Sequence, residues 1–144
     1  MHSLNPTTAA ELLASQGVQP ASEVVKVLSG FDSSKPMYKH DFWPGDTLYQ
    51  YIRLASVANP VPTRGSWFGI AGITTRGVAI FAGVAGRTLH RFEVAHPFSA
   101  LEGTAARLPI DWQNEIGGPG GASQVFVPRM YSGHIRSLGP AEGW

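Results

Sequence analysis

An α+β fold, with a small, split, mostly antiparallel sheet behind two short N-terminal helices, is predicted by the order in which the sequence periodicities change. Helix-like segments come first. After residue 46 the chain turns to short runs of β-branched and aromatic residues, separated by glycine and proline. Composition agrees: of 144 residues 43% are hydrophobic and only 15% charged, with 17 glycines and 11 prolines, so many turns surround a modest core. The length suits one compact core. Residues 1–46 are expected to be a helical cap or linker, and residues 47–144 the functional domain.

The first helix is expected over residues 7–16, where Thr7 and Thr8 precede Glu11, Leu12 and Leu13 and Gly17 follows. Residues 20–28 repeat the pattern: Pro20 and Ser22 open it, Val24, Val25, Val27 and Leu28 supply apolar surface, and Gly30 closes it. Residues 31–46 read as a loop anchored by Tyr38, Phe42 and Trp43, with Pro44-Gly45-Asp46 as a turn. Residues 47–54 are a strand with Leu48, Gln50, Ile52 and Leu54 on one face and Tyr49, Tyr51 and Arg53 on the other. A second strand is expected from Gly65 to Ile70, and a helix over residues 73–84. Residues 87–94 alternate as a strand, with Leu89, Arg91 and Glu93 opposite His90, Phe92 and Val94. A short strand and turn follow over 97–105, then an irregular region around Trp112, and an edge strand over 131–138.

Several function classes are disfavoured. The net charge of +1, with basic residues dispersed, leaves no footprint for a nucleic acid. The absence of cysteine removes disulfides, thiolate metal sites and a Cys nucleophile. No apolar run is long enough for a membrane span, and Met1-His2-Ser3-Leu4 lacks the features of a signal peptide. His40, His90, His96 and His134 show no helix-spaced ligand pair, so no metal is expected. A Gly-x-Ser-x-Gly elbow is missing too.

The stretch with most chemical promise is Gly117-Gly118-Pro119-Gly120-Gly121-Ala122-Ser123-Gln124-Val125-Phe126-Val127-Pro128. Glycines allow close backbone approach to a ligand, and Val-Phe-Val suits a buried strand, so the loop would deliver Gln124 from a rigid support. It is not a phosphate loop, because no Lys-Ser/Thr pair follows the glycines.

Five segments, taken in order, resemble the NAD-cleaving toxin domains typified by the tuberculosis necrotizing toxin, within the ADP-ribosyltransferase-like superfamily. They are Tyr51-Ile52-Arg53, Gly65-Ser66-Trp67-Phe68, the run from His90 to Pro97, Gly103-Thr104-Ala105-Ala106, and the run from Pro119 to Pro128. The resemblance covers roughly residues 47–139. The sequence departs from the family in a longer stretch between Arg53 and Gly65 and in Trp67, where the family has Tyr or Phe; Arg64 therefore rivals Arg53 as the family's arginine.

The resemblance implies a hydrolase acting on NAD+ or NADP+ as substrate, with no further cofactor, and releasing nicotinamide and ADP-ribose. It implies a delivered or secreted effector that acts in the target-cell cytoplasm, and a cognate immunity protein as partner. Arg53, or Arg64, would hold the pyrophosphate through a planar guanidinium. Trp67 or Phe68 would wall the nicotinamide, since a cationic pyridinium favours an aromatic face. Gln124 would hydrogen-bond the ribose, Gly120 and Gly121 would let the loop approach the dinucleotide, and His90 would contact ribose or phosphate. A mono-ADP-ribosyltransferase is the nearest alternative; such enzymes commonly carry Glu where Gln124 stands, and an amide is no general base. Glu93, Glu102 and Glu115 are the candidate substitutes. A non-catalytic interaction domain, using the glycine loop and tryptophans as a partner surface, is the third reading.

Overall fold

The computed structural model describes residues 3–53, 65–70, 87–106, 108–112, 116–118 and 123–140. Helix α1 (Pro6–Ser15) starts where the Asn5 side chain accepts the Thr8 N–H at 2.8 Å, with Pro6 in the first turn. It ends before Gly17, whose φ of +83° needs glycine. Helix α2 (Ala21–Ser29) buries Val24 and Val27, leaves Val25 exposed, and ends at Gly30.

Among the described residues there are ten strands, in chain order β1 (Ser3–Leu4), β2 (Met37–Phe42), β3 (Thr47–Arg53), β4 (Gly65–Gly69), β5 (Arg87–Val94), β6 (Phe98–Thr104), β7 (Leu108–Trp112), β8 (Ile116–Gly118), β9 (Ser123–Pro128) and β10 (Ile135–Pro140). A 3-10 helix (Arg129–His134) joins the last two. Eight strands form one antiparallel sheet in the order β1-β2-β6-β9-β4-β3-β5-β10, while β7 and β8 pair separately. The architecture is thus α+β.

Three expectations need correcting. Residues 31–46 are not all loop, because β2 pairs with β6 from Tyr38↔Glu102 to Phe42↔Phe98. The region around Trp112 is a two-stranded ribbon. The expected last strand begins instead as the 3-10 helix, and only β10 forms the edge, against β5. Within residues 1–46, β1 and β2 join the eight-stranded sheet and both helices pack on one of its faces. The helix expected over 73–84 lies outside the described residues.

Alternation along the strands builds a core on each face. On one face Leu101 and Phe126 pack with Leu13, Val24, Val27 and Phe31 of the helical segment. On the other, Leu48, Phe68, Phe92, Phe98, Val125 and Val127 form a second cluster. The sheet is continuous but nearly divided: among the described residues β3 pairs with β4 at Tyr49↔Gly69 alone, whereas β3 follows β5 from Thr47↔Glu93 to Arg53↔Arg87. That single pair is the seam between two half-sheets.

Candidate functional site

Gln124, the second residue of β9, stands between Gly69 of β4 and Gly103 of β6 in the strand register. Direct cross-strand partners share a face, so its side chain lies on the helix side with Phe126. It is buried, and its Nε2 donates to the Gly30 carbonyl at 2.7 Å. That carbonyl also accepts the Ala106 N–H at 3.0 Å, so the end of α2 is fixed to the sheet by two bonds. Only the amide nitrogen of Gln124 can serve a carbonyl, which fixes the sense of the amide.

Trp67 is half-buried on the same face. Its ring meets Phe31 and Phe126 edge-on, at centroid distances of 5.0 and 5.1 Å. Gly30 closes the third side: a Cβ there would lie 2.7 Å from Cζ2 and 2.8 Å from Cη2 of the indole. Gly103 makes similar room for Phe31, whose Cδ1 would be 2.6 Å from an added Cβ. Glycine at both positions is therefore a packing requirement. Asp32 closes the turn after Phe31; its N–H donates to the Thr104 carbonyl at 2.8 Å. Its carboxylate accepts the Ser34 hydroxyl at 2.6 Å and the Ser34 N–H at 2.9 Å, and these bonds hold its pKa below the ordinary value.

The seam runs beside Trp67. In place of a continued β3–β4 ladder, the Gln50 Nε2 donates to the Trp67 carbonyl at 2.9 Å. A side chain thus satisfies a backbone acceptor where the strands part.

The remaining predicted residues fall elsewhere. Phe68 turns to the opposite face, 1% exposed, and packs edge-on against Phe92 at 5.2 Å, so of the two aromatic candidates only Trp67 stands with Gln124. His90 also lies on that opposite face, since it partners Gln50 while Arg91 partners Tyr49. It is buried, and neither ring nitrogen has a hydrogen-bond partner among the described residues. Gln124 and His90 are therefore not brought together on one face. Arg53 ends β3 opposite Arg87, four residues beyond Tyr49. Arg64, Gly120, Gly121 and Glu115 lie outside the described residues.

Two of the expected substitute carboxylates are engaged elsewhere. Glu93 is paired with Arg136, whose Nε is 3.0 Å away, and Glu102 is bonded to His40 Nδ1 at 2.6 Å. Among the described residues no group of three or more His, Asp or Glu is placed to hold a metal. None of the described helices is long and apolar enough to cross a membrane.

Sequence reasoning missed Gly30, Phe31 and Gln50 as parts of the site. Gln50 carried a signal, an amide among Leu48 and Ile52 on an otherwise apolar strand face. Gly30 read only as a helix stop.

Neither a known protein family nor a curated protein matches the chain by sequence. Solved structures are similar to it in structure. A chain of Rhs1-CT in complex with its cognate immunity protein RhsI1 is 15% identical, at a TM-score of 0.48 over 76% of this chain and 80% of that one. A chain of Tse6 in complex with Tsi6 is 21% identical, at a TM-score of 0.69 over 95% of this chain and 98% of that one. The second likeness spans the helical segment as well as the strands, and the fold is shared with that chain.

Proposed function

We propose that this chain is a toxin effector domain that hydrolyses NAD+ or NADP+ to nicotinamide and ADP-ribose, draining the dinucleotide pool of the cell it enters. The observation that carries the reading is the pairing of an aromatic ring, Trp67, with an oriented amide, Gln124, both held by the end of α2 beside the seam. The order of motifs and the fold shared with the Tse6 complex's chain support it.

Cleavage breaks the bond from the anomeric carbon to the nicotinamide nitrogen; the electron pair leaves with the ring, and the sugar develops oxocarbenium character. Water adds to that carbon and loses a proton to solvent. The protein's task is positioning and charge stabilisation. Trp67 offers a face to the cationic pyridinium. Gln124, with its nitrogen committed to Gly30, presents its carbonyl oxygen to a ribose hydroxyl. Arg53, at a β3 position of the same parity as Tyr49, is assigned to the pyrophosphate. His90, on the other face, is assigned no step. Hydrolysis is preferred to protein ADP-ribosylation because Gln124 is an amide that takes up no proton, while Glu93 is paired with Arg136 and Glu102 is bonded to His40.

The domain is assigned to delivery into a target-cell cytoplasm, and a cognate immunity protein is its expected partner, by the resemblance; the chain that shares the fold is itself held in a complex, with Tsi6. The test is release of free nicotinamide from NAD+ and from NADP+ by the purified chain, beside Gln124→Ala and Arg53→Ala. Release that both substitutions abolish without unfolding the protein is expected. No release from either dinucleotide refutes the reading, and release only with target-cell protein present points to the transferase.

A further inference from the structure

We propose that Arg91 is an additional phosphate-binding cation, completing a strip for a sugar-phosphate ligand that begins at Gln124; the inference rests on the dinucleotide reading above. The strip follows from register. Gln124 partners Gly69, Gly69 partners Tyr49, and Tyr49 partners Arg91. These residues therefore share one face across four neighbouring strands. Three strand spacings separate the ends, about 14 Å between backbones, a gap that the two end side chains shorten by reaching inward.

The surroundings of Arg91 suit an anion. Its neighbour His90 is buried on the opposite face, so Arg91 is the β5 residue of this pair that shares a face with Gln124. The buried cluster of the helical segment lies over β6 and β9, whereas Arg91 is exposed. Glu93, two residues along the same face, is neutralised by Arg136, and no carboxylate pairs with Arg91 among the described residues. An exposed guanidinium without a counter-ion binds phosphate oxygens bidentately. A neutral amide at one end and this cation at the other match a ligand with ribose hydroxyls and phosphates.

The experiment compares the intact chain with Arg91→Ala and Arg91→Lys, using NAD+ and nicotinamide riboside, which lacks the phosphates. With NAD+, Arg91→Ala should raise KM about tenfold with kcat changed less than about twofold, and Arg91→Lys should recover part of the loss. With the riboside, parent and variant should be alike. Titration with ADP-ribose, followed by calorimetry, should show binding about tenfold weaker in Arg91→Ala, with unchanged melting because the residue is exposed. If the parent releases nicotinamide but KM for NAD+ is unchanged, or the riboside suffers equally, the role of Arg91 is overturned while the hydrolase stands. A parent that neither releases nicotinamide nor binds ADP-ribose removes both.

Discussion

Replacing Gly30 by alanine tests the packing that holds the site. The backbone there has φ −77° in the right-handed helical region, so alanine is conformationally permitted and on that account alone would stabilise by about 0.5–1 kcal/mol. The obstacle is Trp67. A Cβ at 2.7 Å from the indole must push the ring back by about 0.7 Å to reach ordinary contact, yet Phe31 and Phe126 stand against it at 5.0 and 5.1 Å. Overpacking of this kind costs about 1–3 kcal/mol; taking the middle of both ranges leaves a net loss of about 1 kcal/mol and a melting point lower by roughly 3–5 °C. Denaturant unfolding followed by far-ultraviolet circular dichroism measures it. The same substitution in a Trp67→Phe background should cost nothing, because the clashing atoms belong to the part of the indole that phenylalanine lacks. Equal cost in the two backgrounds, or none in the parent, would refute the argument that Gly30 is glycine for the sake of Trp67.

Two further predictions concern charge. Gln124→Glu replaces a donor to the Gly30 carbonyl by a buried carboxylate that only accepts, and should cost about 2–3 kcal/mol at neutral pH. Burial raises the folded pKa of the new acid above its unfolded value of about 4.3, so stability relative to the parent is greatest below that pH and is lost as pH rises through the folded value; a difference that stays constant from acid to neutral pH refutes it. For Asp32 the sign is opposite: its folded pKa lies below 3.8, so its stabilising contribution is complete above the unfolded value and fades only as pH falls through the folded one. Ser34→Ala should move the Asp32 titration, followed by carboxyl NMR, upward; no movement would show that the Ser34 hydroxyl does not set it.

What could be read from the sequence was what is decided locally. The two helices carry their own stops and apolar stripes, and β3 and β5 alternate cleanly. Strand β2 was hidden because Met37-Tyr38-Lys39-His40-Asp41-Phe42 has polar residues on both faces, as befits a strand covered on its outer side only by the two-residue β1. The site was legible in part for a related reason. Alternation states that His90 and Arg91 point oppositely, but which of them shares a face with Gln124 depends on the β3–β4 and β4–β9 pairings, which join residues far apart in the chain. The glycines flanking Gln124, Gly69 and Gly103, likewise become its neighbours only through the sheet.

The seam explains why the site forms where it does. The seam lies one strand away from Gln124, and among the described residues one pair, Tyr49↔Gly69, keeps the two half-sheets in register. Beyond it the β4 backbone still needs partners, since a buried carbonyl left unpaired costs about 1–3 kcal/mol. Gln50 supplies one from its side chain, at the Trp67 carbonyl. The backbone of Trp67 is thereby fixed from β3, while its ring is fixed from α2 by Gly30 and Phe31. An aromatic platform held from both half-sheets can stay in place while the strands part beside it. The N-terminal segment is what makes this work, because the end of α2 orients the amide of Gln124 and braces the indole through the same residue, Gly30.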